Sequence, residues 1–595
     1  MIKDKVLKWT EIFAVLLAFL MPLKFGGLAA IPETTTLYLP DFFSWVLISW
    51  PTAAFSLFSG ILLIMTTTLL PFPPGEFTPS FKTALLSALL ALVSIVGIMA
   101  SSCTIYAWLQ ILHLFGIAAF ACAAFRLIAF APYMKSYIVW AVIAGALLSS
   151  FEGLYQLLYG FEETKNFIYE QELRTGIKYA SGNLKTRLSE TRVFGFFSLC
   201  NSFAGHLILT IPLVFWGLCE ICKKAKQPIS SGFILITPVI LFMLTMLYFT
   251  GSRAAVLALM LACGLCVIVF PFDRRLRIAG VIFGTVTLLA GIIYVKYSSR
   301  GFLSMTVRFD YFEAAWKIFM HNPLIGTGWG DFFHEYMNIK TVISDEAPHD
   351  PHNFILSFAS QTGIAGLVVS TLFLFYPAFA LLKAARAKGK AFRGLFSLEG
   401  MVFVGWTAWV LHALSDINIQ VPGTIGTALV MVFAALAPQD NIQEYKRKPH
   451  KYLWTLLCIF IALSSIYGSW LTIKAETAFY ELQELCDYRL KTPEEFSKIS
   501  IDEVNRTLYR TVNLVPSSPF PWAAAADFMW MKKRPDLTLM YYKNANKLSP
   551  ERPSFYFRLY LFNRMLGNYD EAAKNLKKAK ELFPNNPQYK NESMH

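Results

Sequence analysis

Charged residues are scarce in this sequence. Of its 595 residues, 15% are charged and 55% are hydrophobic, whereas soluble domains carry about 25% charged residues. The scarcity is uneven, because 34 of the 122 residues from position 474 onward are charged, against 58 of the 473 residues before them. This division predicts a polytopic membrane region followed by a soluble domain. It excludes a fully soluble enzyme, a disordered chain and a secreted disulfide scaffold.

Several common site patterns are also missing. The nine cysteines lie almost entirely in apolar segments, and the two CxxC pairs lack a histidine or a second pair at zinc-site distance. The first apolar run has no A-x-A cleavage site, which favours a first membrane span over a removed signal peptide. The net charge of +14 comes from short basic clusters between apolar runs. Such clusters are typical of membrane topology signals and argue against nucleic-acid binding.

Long apolar runs fill the first 473 residues. A spanning helix needs about 20 mostly apolar residues, and this criterion predicts an all-α polytopic bundle of 12–13 spans. The predicted spans lie near 11–31, 42–70, 81–101, 105–130, 136–158, 193–221, 232–250, 254–271, 277–295, 353–382, 397–416, 421–437 and 452–473. Alternate connections carry the basic clusters, so the positive-inside rule places the N-terminus in the cytoplasm. The long loops 159–192 and 296–352 and the tail then face outward, into the periplasm of a Gram-negative cell.

The tail repeats a short sequence motif with a period of 34 residues. Prolines recur at this spacing in two series, Pro516, Pro550 and Pro584, and Pro519, Pro553 and Pro587. A 34-residue period that closes on proline is the tetratricopeptide signature, and such arrays present a concave groove to a peptide or protein. We therefore predict that 474–595 is a soluble α-helical tetratricopeptide-like domain that docks a protein partner and has no chemistry of its own.

Three polar features are predicted to lie on the outer side of the bundle. Arg253 begins a span, where its guanidinium could hold a phosphate or serve as an interfacial anchor. Arg308 begins a helix with apolar residues at 309, 312, 316 and 319, as in a helix that lies along the membrane interface. His349-Asp350-Pro351-His352-Asn353 directly precedes a span. A histidine there could take a proton from a sugar hydroxyl, bind a metal or simply face solvent.

A glycine-rich turn, Gly326-Thr-Gly-Trp-Gly330, follows the helix that Arg308 begins. Glycines allow a ligand to approach the backbone closely, which makes this turn a candidate binding element. It is not a P-loop, because the Lys-Ser/Thr pair is missing.

These motifs resemble the O-antigen ligases. His352-Asn353, nine residues and Gly363-Ile-Ala-Gly366 fit the pattern H-N-x9-G-x-x-G, and Arg253-x3-Leu257 fits the R-x3-L element. The stretch 308–328, together with Asn201, is similar to the wider ligase and polymerase (Wzy-C) domain. The resemblance covers roughly 190–440, and the repeat-containing tail departs from the simplest ligases.

The resemblance implies a C-type glycosyltransferase fold in a bacterial inner membrane. It implies that a glycan moves from undecaprenyl diphosphate to an acceptor hydroxyl, on lipid A-core in the ligases, with no metal, nucleotide or other cofactor. Because the diphosphate leaving group gains negative charge, we expect Arg253 and Arg308 to stabilise it and His352 to deprotonate the acceptor. The residues expected to bind substrate or orient the base are Arg192, His349, Asn353, Asp350 and Trp316. His349 is the alternative base.

Other functions would use the same motifs. A polymerase would take a second lipid-linked glycan as acceptor, and a protein O-oligosaccharyltransferase would take a polypeptide, which a tetratricopeptide tail suits. A lipid-linked glycan transporter is a third alternative, although the spans show no internal repeat. The predicted domains are the N-terminal spans with the first outer loop (1–190), a catalytic membrane region containing loop 296–352 (191–440), the last span (441–473) and the tail (474–595).

Overall fold

The computed structural model describes residues 2–29, 42, 45, 48–70, 78–102, 104–176, 189–226, 229–297, 299–340, 348–437, 450–488 and 491–592. Within these residues the regular secondary structure is helical and includes no strand, which confirms the predicted all-α class. Parts of the predicted spans 11–31 and 42–70 lie outside the described residues, as does the basic cluster at 446–448.

Fifteen main helices build the described part of the chain up to Cys486, besides the helix Phe161–Thr175 and shorter helical turns. In order they are α1 (Ile2–Lys24), α2 (Thr52–Leu69), α3 (Pro79–Ser94), α4 (Thr104–Phe130), α5 (Met134–Tyr155), α6 (Cys200–Lys224), α7 (Ile229–Phe249), α8 (Arg253–Val269), α9 (Arg274–Tyr297), α10 (Ser299–His321), α11 (Phe332–Ile339), α12 (Phe354–Arg386), α13 (Leu398–Ala413), α14 (Pro422–Ala435) and α15 (His450–Cys486). In the described ranges, nine helices are long and apolar enough to cross a membrane, and three shorter apolar helices accompany them. Every predicted span overlaps one of the fifteen helices, and the polytopic bundle is confirmed.

Helix α4 forms the centre of the bundle, and almost all of its residues are buried. It can be buried on every side because its sequence is apolar on every side. Gly116 allows α2 to pack closely, since a Cβ there would lie 2.1 Å from Ser56 Oγ. Near the C-terminal end of α4, the buried Arg126 donates to Thr66 O (3.3 Å) and Leu70 O (3.0 Å). This arginine therefore adds a second donor to Thr66 O, which already accepts from Leu70 N (3.2 Å), and binds Leu70 O just beyond the last turn of α2.

Helix α12 is broken at Gly363, which has φ 70° and ψ −155°. The segment after α10 fills the break, because Ile364 N donates to Pro323 O (2.7 Å) and Thr327 N donates to Ser360 O (2.8 Å). The backbone groups released by the break are thus satisfied by another segment of the protein, as a buried position in a membrane requires. The connection between α10 and α11 is thereby fixed to α12.

The main helices of the tail are α16 (Ile501–Leu514), α17 (Phe520–Met531), α18 (Pro535–Leu548), α19 (Pro553–Met565) and α20 (Tyr569–Leu582). Its core contains Tyr541, Tyr542 and Ala545 beside Phe528 and Leu559. Pro553 begins α19 at the position where a helix tolerates proline. The assignment of these helices to tetratricopeptide repeats stays a prediction.

The tail lies against one end of the bundle, here called the loop end, which carries residues 299–340 and 348–353. Arg552 Nη1 donates to Tyr106 Oη (3.1 Å), and Asn585 Nδ2 donates to Lys340 O (3.1 Å). The chain reaches the same end just after α1, where Gly26 O accepts from Ser198 N (3.0 Å). The first residues of α1 and the tail therefore lie at opposite ends of the bundle, while the number of spans stays a prediction.

Candidate active site

The connection between α13 and α14, residues 414–421, is the structural centre of the loop end. Its carbonyl groups accept hydrogen bonds from two residues that the sequence singled out. Arg308 Nε donates to Ser415 O (3.0 Å), and Asn353 Nδ2 donates to Leu414 O (2.8 Å). The side chains of this connection face inward, and Asp416 is 3% exposed. Neither this connection nor Asp416 was predicted from the sequence to be part of the site.

Two arginines are connected through Asp416: Arg308 contacts it, and Arg192 is linked to it by Asn201. Arg308 Nη2 lies 3.9 Å from Asp416 Oδ2, and the same oxygen accepts from Asn201 Nδ2 (2.7 Å). Asn201 Oδ1 accepts in turn from Arg192 Nη2 (3.1 Å), while Arg192 Nε donates to Thr250 O (2.8 Å). The structure thus brings Arg192, Arg308 and Asn201 together. Asn201 thus links the Arg192 guanidinium to the carboxylate that lies beside Arg308, and guanidiniums are suited to binding phosphate or carboxylate anions.

Arg253 lies at the same end but points in another direction. It begins α8, its side chain is exposed, and its guanidinium lies 4.6 Å from the centre of the Tyr294 ring on α9. The preceding turn contacts Arg192, since a Cβ on Gly251 would lie 2.8 Å from Arg192 Nε. Arg253 therefore lies two residues after a turn that contacts Arg192, while its guanidinium lies over the Tyr294 ring of α9. Its predicted catalytic role stays a prediction.

His352 has a left-handed backbone with φ 55°, an unusual conformation for a residue other than glycine. Its backbone N–H donates to Asp350 Oδ1 (2.9 Å), which holds the turn in place. The imidazole is partly exposed and lies 5.5 Å from the Tyr311 ring of α10. Tyr311 follows Arg308 by three residues on α10, so His352 packs against the part of α10 that carries Arg308.

Asp350 and Asn353 fix the backbone around His352. Asp350 Oδ2 accepts from Ser357 Oγ (2.5 Å). Burial raises the pKa of the Asp350 carboxyl, an effect that hydrogen bonds from Ser357 and Gln420 and the charge of His352 oppose. Asn353 Oδ1 caps α12 by accepting from Leu356 N (3.1 Å). These hydrogen bonds hold the peptide backbone of the loop, whereas the sequence predicted that one of the two residues orients the imidazole.

His349 lies between two aromatic rings. Its centroid is 4.5 Å from that of Tyr106 and 5.0 Å from that of Phe333. Its Nε2 is 3.3 Å from Tyr106 Oη, and its Nδ1 is 3.5 Å from Gly330 O. Both ring nitrogens therefore face protein groups.

Trp316 lies on the outer face of α10. It is 50% exposed beside the exposed Phe309 and Met320, while Tyr311 and Ile318 face the core. The predicted apolar face is thus only partly correct, because Phe319, which it includes, is buried. An exposed aromatic face is suited to lipid contact, and the substrate-binding role of Trp316 stays a prediction.

The glycine-rich turn contacts protein rather than an open site. Gly326, Gly328 and Gly330 all have positive φ. A Cβ at each position would lie within 2.4–2.6 Å of an atom of α12, of Ser101 or of Tyr106. The same holds for Gly363, where the Cβ would be 2.3 Å from Leu324 O. The interpretation of the turn as a surface for ligand approach was wrong, because these glycines allow two protein segments to pack together.

A buried polar network extends from this site into the bundle. His412 Nε2 is 3.5 Å from Ser252 Oγ, and its Nδ1 is 2.7 Å from Asn418 Nδ2. The carbonyl of Ile419 lies 2.6 Å from His113 Nε2. The intramembrane histidines were recognisable from sequence, but their common contact with the α13–α14 connection was not. Among the described residues no three His, Cys, Asp or Glu side chains form a metal-binding group, and metal independence stays a prediction.

Asp331 joins the glycine-rich turn to α4 and gives a pH-dependent prediction. Burial raises its pKa to about 6, although its carboxylate accepts from Ser102 N and Oγ (both 2.6 Å). A raised carboxyl pKa stabilises the fold below the unfolded value of 3.8, and this contribution is lost as the pH rises through about 6. The cost of ionisation is on the order of 3 kcal/mol. Asp331→Asn should therefore make thermal stability in detergent less dependent on pH between 4.5 and 7.

The matched control for this measurement is Asp502→Asn, because Asp502 is exposed on the first turn of α16. Its pH–stability curve should follow that of the unsubstituted protein. Equal curves for Asp331→Asn and the unsubstituted protein would contradict the predicted role of Asp331.

One family model matches part of the chain. Residues 238–370 match the model described as O-antigen ligase (Wzy_C). The match contains Arg253, Arg308 and 349–353, and it ends before Asp416. No curated protein matches the chain. Over residues 238–370 the chain is similar to the O-antigen ligase family, which supports a membrane enzyme of the O-antigen ligase or polymerase type.

Proposed function

We propose that this protein transfers a glycan from undecaprenyl diphosphate to an acceptor hydroxyl, with lipid A-core as the acceptor. The observation that supports this best is the chain of contacts from Arg192 through Asn201 and Asp416 to Arg308, together with the contact of His352 with Tyr311 on the helix that carries Arg308. The family match over 238–370 supports the same class of reaction. In the cell, the loop end faces the periplasm and the bundle lies in the inner membrane.

The diphosphate is bound by the arginines. When the bond between the sugar C1 and the diphosphate breaks, negative charge accumulates on the leaving group. Fixed positive charges lower the energy of this state without reorganising, and they act strongly in a site that is shielded from water. Arg308 is held by Ser415 O and Asp416, so its guanidinium is already oriented before the donor binds. Arg192 adds a second charge, and Arg253 completes the site towards α9.

The acceptor is activated by His352. Its imidazole is partly exposed at the loop end, while its backbone is held by Asp350. An imidazole can accept the hydroxyl proton near neutral pH. The hydroxyl then attacks C1 from the face opposite the diphosphate, and the configuration at C1 is inverted.

A transfer assay tests the proposal. Purified full-length protein in detergent receives an undecaprenyl-diphosphate-linked oligosaccharide together with lipid A-core, a protein acceptor or no added acceptor, each with and without EDTA. We expect a glycosylated lipid A-core product that forms equally in EDTA. Elongated lipid-linked glycan without added acceptor would instead identify a polymerase, and glycosylated protein would identify an oligosaccharyltransferase. An absence of transfer in every arm would contradict the proposal.

Arg308→Gln should lower the transfer rate by about 10²–10³-fold, because one fixed charge at the leaving group is lost. Arg308→Lys should recover only part of this loss, since an ammonium cannot reproduce the two-pronged geometry of a guanidinium. Lys317→Gln is the control, because Lys317 lies exposed on the same helix in an ion pair with Glu313 (2.5 Å). Initial rates at saturating donor check this, and a normal rate in Arg308→Gln would exclude the assigned role.

The polymerase remains the second candidate, because the arginine pair and His352 would serve either acceptor. The tail contacts the loop end through Arg552, which donates to Tyr106 Oη, and through Asn585, which donates to Lys340 O. We propose that the tail is a tetratricopeptide-like domain that binds a protein partner on its remaining surface. The 34-residue proline period and the succession of helices α16–α20 support this.

A further inference from the structure

A side chain of the tail reaches the histidine loop. Arg552, directly before α19, donates from Nη1 to Tyr106 Oη at 3.1 Å. Tyr106 Oη lies 3.3 Å from His349 Nε2, and the two rings are 4.5 Å apart. The Arg552 guanidinium also lies 5.0 Å from the centre of the Phe520 ring. The membrane region and the tail therefore meet at His349.

The direction of each hydrogen bond follows from the groups involved. A guanidinium can only donate, so Tyr106 Oη accepts from Arg552 and can direct its own proton towards His349 Nε2. His349 Nδ1 faces the Gly330 carbonyl oxygen at 3.5 Å, and a carbonyl can only accept. The neutral imidazole that satisfies both neighbours carries its proton on Nδ1 and accepts at Nε2.

We infer that Arg552 is a positioning residue: acting through Tyr106, it fixes His349 in the neutral Nδ1–H tautomer and holds the 348–353 loop. Both ring nitrogens of His349 are then engaged by the protein, which leaves His352 to take the acceptor proton. The effect on turnover rests on the proposed function, whereas the effect on the tautomer does not. The tail thus contributes to the reaction without touching the substrate.

Nitrogen-15 NMR of histidine in the full-length protein in detergent tests the tautomer, because protonated and unprotonated ring nitrogens resonate far apart. The His349 signals are those that disappear in His349→Gln. We expect a protonated Nδ1 and an unprotonated Nε2 in the unsubstituted protein. Tyr106→Phe and Arg552→Gln should each give a mixture of the two neutral tautomers. Arg552→Lys keeps a charged donor and should retain the original spectrum.

Turnover provides the second measurement. Arg552→Gln and Tyr106→Phe should each lower kcat roughly tenfold, because the loop that carries the base is less well placed. The double variant should lose no more than either single variant, since both act through one hydrogen-bonded chain. The KM for the donor should stay unchanged. Arg534→Gln is the control, because Arg534 pairs with Asp536 (2.7 Å) on an exposed part of the tail.

Two results would overturn this inference. One is a protonated Nε2 in the unsubstituted protein, and the other is an unchanged His349 spectrum in both Arg552→Gln and Tyr106→Phe. A protein that transfers no glycan in any acceptor arm but shows the expected spectra would instead contradict the proposed function alone. The two failures are therefore distinguishable.

Discussion

His352→Asn should lower glycan transfer by about 10²–10⁴-fold, the contribution of a general base. Asparagine is chosen because it tolerates the left-handed backbone found at this position, where φ is 55°. The hydrogen bond between the backbone N–H and Asp350 Oδ1 does not depend on the side chain, so the loop should keep its fold. The initial rate with a lipid-diphosphate donor, at fixed acceptor concentration, measures the loss.

His349→Gln is the comparison variant for this experiment. Because His349 is engaged by Tyr106 and Gly330, its replacement should cost far less activity than that of His352. Added imidazole should restore part of the activity of His352→Gly, since the missing base is then supplied from solution. If His352→Asn transfers glycan at nearly the normal rate, or if His349→Gln is the more damaging change, His352 is not the base.

Gly363→Ala should destabilise the folded protein by more than about 4 kcal/mol, the range reserved for severe local conflicts. The added Cβ would lie 2.3 Å from Leu324 O and 2.4 Å from Leu324 C, and both are backbone atoms that cannot rotate away. The backbone at φ 70° and ψ −155° is also a conformation essentially confined to glycine. Thermal unfolding and size-exclusion profiles of the detergent-solubilised protein measure the effect.

Two other glycines serve as controls that separate the cost of the steric conflict at Gly363 from the cost of its backbone conformation. Gly389 has φ 90° with nothing within 4 Å of its Cβ position, so Gly389→Ala carries only the conformational cost, roughly 1–2 kcal/mol. Gly284 in α9 has free space and no positive φ, so Gly284→Ala should be neutral or stabilising. Unfolding temperatures of Gly363→Ala and Gly389→Ala that coincide would show that the contact with Leu324 is unimportant.

The bundle and the location of the tail could be predicted from sequence because both are encoded locally. Runs of apolar residues define the helices, and an odd number of them places the tail opposite the first residues of α1. The pairing of Arg192 with Asn201 was also within reach, since the two residues are nine positions apart. The resemblance to the O-antigen ligases supplied His352, whose local turn is set by Asp350 two residues earlier.

The remaining parts of the site depend on contacts between distant segments. Asp416 is 215 residues from Asn201, and Ser415 is 107 residues from Arg308. A single carboxylate in a short connection gives no periodic signal. Nor does sequence distinguish a glycine that admits a ligand from one that admits another helix, as at Gly328. The direction of the Arg253 side chain follows from the position of Tyr294, which lies in the next span.

The segment between α10 and α11 has a consequence for catalytic power. Pro323 O accepts from Ile364 N at the break in α12. Trp329 packs at the end of α3, where its Nε1 donates to Ser94 O (2.7 Å) and its ring lies beside Gly97. Because this segment is held on both sides, the loop end has little freedom to relax when charge moves. Dipoles that are already aligned need no reorganisation energy, and a preorganised frame of this kind lowers an activation barrier without closing a lid.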